Sequence, residues 1–159
     1  MADFRIFLSA VTSEFGKARD NLADALQSYD DLTVRVQRSF RHDPNAQSLL
    51  HQLANYIKNC DAVVCLIGTR SGAGFPKPAE AAPFVSKGIL PAALDRASYT
   101  QWEFLLASHF RRRCLVYLAS QNFTPEEREC PEDDIPELQS TFVEHILRVW
   151  TSRSFFGSP

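Results

Sequence analysis

The run AVVCLIG at residues 62–68 is the strongest indication of the fold, because it is the most uniformly apolar segment of the chain. An apolar run of this length without alternation is typical of a β-strand that is buried on both faces. Such strands lie at the centre of parallel sheets, where helices cover both sides. The sequence therefore predicts an α/β domain in which residues 62–68 form a central strand.

Segments with strand and helix patterns alternate on both sides of this run. Short apolar runs that predict further strands lie at residues 4–8, 32–36 and 114–118. Apolar residues recur at helical spacing within residues 12–28, 49–59, 98–110 and 135–147. This alternation predicts a flavodoxin-like open parallel sheet of four to five strands with helices on both faces.

We expect this sheet to form one domain over residues 1–150. Residues 151–159 are predicted to be an edge strand or the start of a linker to further C-terminal domains. Residues 69–97 carry much of the glycine and proline and show no clear periodicity, so they are interpreted as a lid or a partner-binding segment. The acidic residues 121–134 are interpreted as a solvated loop.

Composition excludes several classes of function. The chain has 159 residues, 45% of them hydrophobic, and a formal net charge of −2, which gives no electrostatic basis for binding nucleic acid. No apolar run approaches the ~18 residues of a membrane span, and the first residues lack a signal-peptide pattern. The four cysteines have no metal-binding spacing. We expect a cytoplasmic protein without a metal or a membrane partner.

One helical stretch, SYTQWEFLLASHF at residues 98–110, places an acid beside an apolar stripe. Tyr99 and Glu103 are four residues apart and are therefore neighbours on the helix surface. Ligands of open α/β sheets bind beyond the carboxyl ends of the strands. The residues expected to converge there are Ser9, Ala10, the loop from Arg38 to Asp43, Gly68, Tyr99 and Glu103.

Three of these segments resemble the Toll/interleukin-1 receptor (TIR) domain family, in particular bacterial TIR-like modules at the N-termini of multidomain proteins. They are RIFLSA at residues 5–10, the strand at 61–68, and SYTQWEF at residues 98–104 with the family's glutamate. The resemblance covers roughly residues 4 to 148. It implies a TIR-like fold and, for many members, cleavage of NAD at the nicotinamide-ribose bond.

The resemblance implies a catalytic role for Glu103, whose carboxylate would stabilise an oxocarbenium-like sugar. Ser9, Ala10, Gly68 and Tyr99 would line the substrate pocket. Arg38 and Arg41 would hold phosphates by forked hydrogen bonds, and Phe40 would stack on a base. NAD would be a substrate, with no cofactor. Self-association and C-terminal sensor domains would control the activity in a bacterial signalling or defence protein.

Two other functions remain open at this stage. One is that of a non-catalytic TIR-like module that only oligomerises, with Phe104 on the exposed side of its helix and residues 75–91 as contact surface. A nucleoside deoxyribosyltransferase would also use a glutamate at an N-glycosidic bond. The paired aspartates expected for that enzyme after the second and third strands are absent from the sequence.

Overall fold

Four segments form one parallel sheet in the computed structural model, which describes residues 3–40, 47–72 and 74–156, with side chains as far as residue 149. In chain order the strands are β1 (Phe4–Ala10), β2 (Leu32–Val36), β3 (Ala62–Ile67) and β4 (Arg113–Leu118). The helices are α1 (Thr12–Gln27), α2 (Leu49–Asn59), α3 (Pro78–Val85), α4 (Tyr99–His109) and α5 (Pro136–Phe156). The predicted flavodoxin-like fold is confirmed, with four strands in the described part of the chain.

The strand order β2-β1-β3-β4 places β1 and β3 at the centre. The chain leaves β1 toward one edge to form β2 and then returns across the sheet to form β3. The carboxyl ends of β1 and β3 therefore flank the switch point, where ligands of open sheets bind. The register pairs Ser9 with Cys65 and Ala10 with Leu66 at this end.

Two apolar clusters cover the two faces of the sheet. The larger one lies between the sheet and the helices α2, α4 and α5, and it includes Phe7, Leu53 and Trp102. The smaller one lies under α1 and includes Leu8 and Val64. Alternate residues of β1 and β3 enter opposite clusters, which explains why residues 62–67 are apolar at every position.

Helix α4 is buried on all sides, which corrects the prediction of an exposed face. All residues from Gln101 to Ala107 are buried. Phe104, predicted to be exposed, is 2% exposed and packs edge-on against Phe142 of α5 at 5.8 Å between ring centroids. The sequence of α4 could not show that α5 would cover its outer side.

Two other predicted segments also differ from the structure. Residues 78–85, inside the stretch interpreted as a long loop, form α3, with Pro78 in its first turn. Residues 151–156, interpreted as an edge strand, continue α5 as a helix. Among the helices that the structure describes, we find none with the length and apolar character needed to cross a membrane.

Candidate active site

The first turn of α4 is fixed beside the loop that follows β3. The Ser98 Oγ accepts a hydrogen bond from the Gln101 N–H at 3.1 Å, and the Ser98 N–H donates to Gln101 Oε1 at 2.9 Å. The Ser98 hydroxyl also donates to the carbonyl of Ser71. All three residues are buried. This capping box therefore sets where α4 begins at the carboxyl end of the sheet.

Glu103 lies on the second turn of α4 and is 1% exposed. The Ser9 hydroxyl, at the end of β1, donates to Glu103 Oε2 at 3.3 Å, which is long for a bond between two oxygen atoms. Neither ion pair found in the described part of the chain involves Glu103. Burial raises the pKa of Glu103 well above its usual range, opposed by the Ser9 hydrogen bond and the charge of Arg19.

A second buried glutamate, Glu14 in the first turn of α1, has a full set of partners. Its carboxylate accepts hydrogen bonds from the Thr69 N–H at 3.0 Å and the Arg70 N–H at 2.9 Å. Burial raises the pKa of Glu14, and the backbone donors of Arg70 and Thr69 lower it. Glu14 therefore joins α1 to the loop after β3. Its contacts are those of a structural acid, whereas Glu103 has one weak hydrogen bond.

A cleft of about 280 Å³ opens over the carboxyl end of β1. Its walls come from the start of α1, the loop after β3, the first turn of α4 and residues 127 and 131. A cavity of about 10 Å³, the size of one water molecule, lies deeper and is lined by Ser9 and Gln101 among others. Val11 and Thr100 line both spaces and therefore separate them.

Four of the predicted binding residues lie at this end of the sheet with Glu103. Ala10 and Tyr99 line the open cleft, and Ser9 and Gly68 line the deeper cavity. The carbonyl of Gly68 accepts a hydrogen bond from the side-chain amide of Gln139 at 2.9 Å. The structure brings these residues together from β1, β3 and α4, and their roles in binding stay predictions.

Tyr99 is positioned by α3. Its hydroxyl donates to the carboxylate of Glu80, with O–O distances of 2.7 and 3.0 Å to the two oxygen atoms. Burial and this carboxylate raise the pKa of Tyr99 far above its usual value. The ring is half-buried and lines the cleft. The segment 69–97 thus helps to shape the cleft, although the sequence gives no sign of the bond between Tyr99 and Glu80.

The structure does not bring Arg38 and Phe40 to the cleft. The Arg38 guanidinium is exposed and pairs with Asp20 of α1 at 2.8 Å. Phe40 packs against Phe7 and Tyr56, with ring centroids 6.3 and 5.6 Å away. These contacts do not support the predicted binding of a phosphate by Arg38 or the predicted stacking of Phe40 on a base. Arg41 lies outside the described residues.

The acidic segment, residues 121–134, is largely exposed and has no helix or strand, as predicted for a solvated loop, but hydrogen bonds hold it across the rim. The carboxylate of Glu126 accepts hydrogen bonds from the N–H groups of Lys17 and Ala18 at 2.6 and 3.1 Å, just after α1 departs from helical geometry at Phe15. At the other end of the segment, Asp134 accepts from the Ser71 N–H at 2.6 Å. Sequence reasoning missed this segment, because nothing local predicts contacts across more than 60 residues.

Ser13, at the start of α1, has a polar atom without a partner. The residue is 6% exposed and lines the cleft, and its buried hydroxyl makes no hydrogen bond within the described part of the chain. Buried hydroxyl groups in folded proteins normally have a partner. The unsatisfied hydroxyl of Ser13 therefore lowers the stability of the fold at this wall of the cleft.

We expect Ser13→Ala to raise the free energy of unfolding by about 1 kcal/mol, because it removes a buried hydroxyl that no group satisfies. Chemical denaturation followed by circular dichroism measures the change. Ser98→Ala is the contrasting variant, since it removes a hydroxyl that makes two hydrogen bonds and should destabilise the fold. Destabilisation by Ser13→Ala would mean that this hydroxyl has a partner in solution.

Comparison with known proteins adds a family and a distant structural similarity. A family model described as "Domain of unknown function (DUF4062)" matches residues 5–150. No curated protein matches the sequence. Among solved structures, the chain is similar to a "2-desoxiribosyltransferase from Leishmania mexicana", with 14% sequence identity and a TM-score of 0.44. The match covers 89% of this chain and 98% of that one.

Proposed function

We propose that this chain, which belongs to the family described as a domain of unknown function (DUF4062), cleaves NAD between nicotinamide and ribose. The observation that carries the proposal is the state of Glu103, a buried acid with one hydrogen bond of 3.3 Å and a strongly raised pKa. It lies beside the switch point of the sheet. Acids with perturbed pKa values at such positions are candidates for catalysis.

The reaction suits a lone carboxylate. The bond between C1′ of the ribose and the pyridinium nitrogen breaks, and its electron pair stays on the nitrogen, so nicotinamide leaves as a neutral base without a general acid. Positive charge develops on the ribosyl group, where the carboxylate of Glu103 stabilises it. Water then attacks C1′ and releases a proton, which gives ADP-ribose. The Ser9 hydroxyl positions the carboxylate from the end of β1.

Glu103 must become ionised and exposed to act in this way. At 1% exposure the carboxyl cannot touch a sugar, so cleavage requires the rim of the sheet to open. The positive charge of the bound pyridinium favours the ionised carboxylate, as does the hydroxyl of Ser9. We propose, in line with the resemblance to TIR domains, that association between copies of the chain opens the rim.

The test is release of nicotinamide from NAD by the purified chain, free and fused to a scaffold that forces association. Mass spectrometry identifies nicotinamide and distinguishes linear from cyclic ADP-ribose. We expect release to increase when the copies are held together. If neither form releases nicotinamide above a heat-denatured sample, the proposed activity is wrong.

The pH profile should show the raised pKa of Glu103. Because the ionised carboxylate is the active form, kcat/KM should rise with pH through a midpoint above the usual glutamate value of about 4.5. The Ser9 hydrogen bond lowers the pKa of Glu103, so Ser9→Ala should move this midpoint to higher pH. Ser86→Ala changes an exposed serine and serves as the control. A Ser9→Ala midpoint equal to that of the control would contradict this role.

One observation favours a second function, that of an interaction module without catalysis. On the outer strand β4, Leu115 is 42% exposed and Tyr117 is 60% exposed. They pair with Val64 and Leu66 of β3, which pack in the cluster under α1. Leu115 and Tyr117 therefore lie on the same face of the sheet as α1, on the strand next to those that α1 covers. An apolar surface of this kind is a candidate for contact with a second TIR-like domain.

Light scattering over a range of concentrations separates the two functions. An interaction module should associate without NAD turnover, and Tyr117→Asp should abolish the association. Nicotinamide release by a chain that stays monomeric at every concentration would exclude the module as its sole function.

A further inference from the structure

We propose that the cleft over β1 holds the ribose next to the scissile bond and that Glu127 selects substrates with a 2′-hydroxyl over their 2′-deoxy analogues. The inference rests on the proposed cleavage of NAD and identifies residues for substrate recognition outside α4. Glu127 and Ser13 are the residues that we assign to the hydroxyl groups of the sugar. Sequence reasoning assigned neither of them to the site.

A backbone hydrogen bond brings these two residues to one wall of the cleft. The Glu127 N–H donates to the carbonyl of Ser13 at 2.9 Å, and the preceding Glu126 N–H donates to the carbonyl of Glu14 at 3.2 Å. The acidic segment thus runs beside the first turn of α1 for two residues. Both Ser13 and Glu127 line the cleft. Their relative position is therefore set by main-chain contacts and does not depend on their side chains.

The polar groups of this wall suit a sugar. The Ser13 hydroxyl is buried and has no partner among the described residues. A hydroxyl of the ligand would supply this partner once the rim opens, as for Glu103. A carboxylate only accepts hydrogen bonds, and a vicinal diol can donate two of them to its two oxygen atoms. Dinucleotide-binding proteins of another fold use an acid in this way on the ribose 2′-hydroxyl.

Charge argues against a phosphate in the same place. The Glu127 carboxylate would repel a phosphate group. Of the buried cations near this end of α1, Arg19 is engaged with Asp20 at 3.2 Å and with Thr12 Oγ1 at 3.1 Å. The Arg70 guanidinium donates to the carbonyl groups of Ser13 at 3.3 Å and Arg128 at 3.4 Å. The carboxylate of Glu127 instead favours the cationic nicotinamide riboside end of NAD. The cleft therefore fits the sugar and base of the substrate better than its diphosphate.

The cleft also lies close to Glu103 along α4. Tyr99 and Thr100 form the α4 wall of the cleft. Glu103 follows them by four and three residues, so it lies one turn further on the same side of the helix. A ribose in the cleft therefore lies about one helical turn from Glu103, which becomes reachable when the rim opens.

The experiment measures binding of ADP-ribose, and of its analogue without the 2′-hydroxyl of the terminal ribose, by isothermal titration calorimetry. We compare the wild-type chain, Glu127→Ala and Ser13→Ala. Glu129→Ala is the matched control, because Glu129 is an exposed acid of the same segment that does not line the cleft. Circular dichroism checks that each variant is folded.

We expect Glu127→Ala to weaken binding of ADP-ribose about 10-fold, since it removes charge-assisted hydrogen bonds. Ser13→Ala should weaken binding by a smaller factor even though it stabilises the fold. The wild-type chain should prefer ADP-ribose over the 2′-deoxy analogue about 10-fold, and Glu127→Ala should lose this preference, as for two groups that interact directly. Glu129→Ala should match the wild type.

Failure of this inference can be told from failure of the proposed function. If the wild-type chain binds neither compound, or binds both equally, the ribose assignment is wrong even when NAD is cleaved. If Glu127→Ala keeps the preference for ADP-ribose, Glu127 is not the selecting group. If ADP-ribose binds with the expected preference and NAD is not cleaved, the cleft recognises ribose and the catalytic proposal is wrong.

Discussion

Replacing Glu103 with glutamine is expected to reduce nicotinamide release from NAD by about 10³-fold, the cost of removing one preorganised group that stabilises charge in the transition state. Glutamine has nearly the same shape and keeps an acceptor for the Ser9 hydroxyl, so the fold should persist. The rate is measured with the chain held at high local concentration. Glu129→Gln, which changes an exposed acid, should keep the wild-type rate.

The same substitution should stabilise the protein above acidic pH. Burial raises the pKa of Glu103 in the folded chain above its unfolded value, near 4.5. Below that pH, Glu103 is protonated in both the folded and the unfolded chain, so it does not lower the free energy of unfolding relative to glutamine. As the pH rises above it, the unfolded chain ionises first, and the free energy of unfolding of the wild type falls. The advantage of Glu103→Gln should therefore grow with pH in denaturation experiments.

A gain in stability with a loss of activity is typical of a residue retained for function. A Glu103→Gln variant that is less stable than the wild type at neutral pH would show that the carboxylate supports the fold. A variant that releases nicotinamide at the wild-type rate would remove Glu103 from the mechanism.

Gly68→Ala is expected to destabilise the fold by about 3 kcal/mol, because it forces a methyl group against the hydrogen-bonded carboxyl group of Glu14. A Cβ at residue 68 would lie 2.1 Å from Glu14 Oε2. The Glu14 carboxylate cannot move away without losing the N–H donors of Thr69 and Arg70. Thermal or chemical denaturation measures the loss.

A double-mutant cycle tests the cause. Glu14→Ala alone should also destabilise the fold, since it leaves the N–H groups of Thr69 and of the buried Arg70 without their acceptor. The double variant should be destabilised by less than the sum of the two single effects, because each substitution breaks the same contact. Strict additivity would show that Gly68 is required for another reason.

The fold could be predicted from the sequence because its signals are local. An apolar run without alternation predicted that residues 62–67 are covered on both faces, and the structure confirms this. The surroundings of α4 could not be predicted in this way. Whether Phe104 meets solvent or Phe142 depends on where α5 returns to the sheet, and the helical period of α4 holds no information on that.

The site was predicted in part for the same reason. Parallel topology alone brings the ends of β1 and β3 together, so Ser9 and Gly68 could be placed at one rim with Glu103. The contacts of Glu14 with residues 69–70, and of Glu127 with Ser13, join parts of the chain that are far apart in sequence and have no motif. Arg38 was interpreted as a phosphate ligand because its loop follows a strand, but Asp20 on α1 offers a nearer partner.

The ¹³C chemical shift of the Glu103 side-chain carboxyl, followed by NMR as a function of pH with and without ADP-ribose, tests directly whether Glu103 is a buried acid at a ribose site. Loss of the signal in Glu103→Gln assigns it. We predict a titration midpoint well above that of a solvated glutamate and a change in this shift when ADP-ribose binds. A carboxyl that titrates near 4.5 and does not respond to saturating ADP-ribose would show that Glu103 is a solvated acid away from any ribose site.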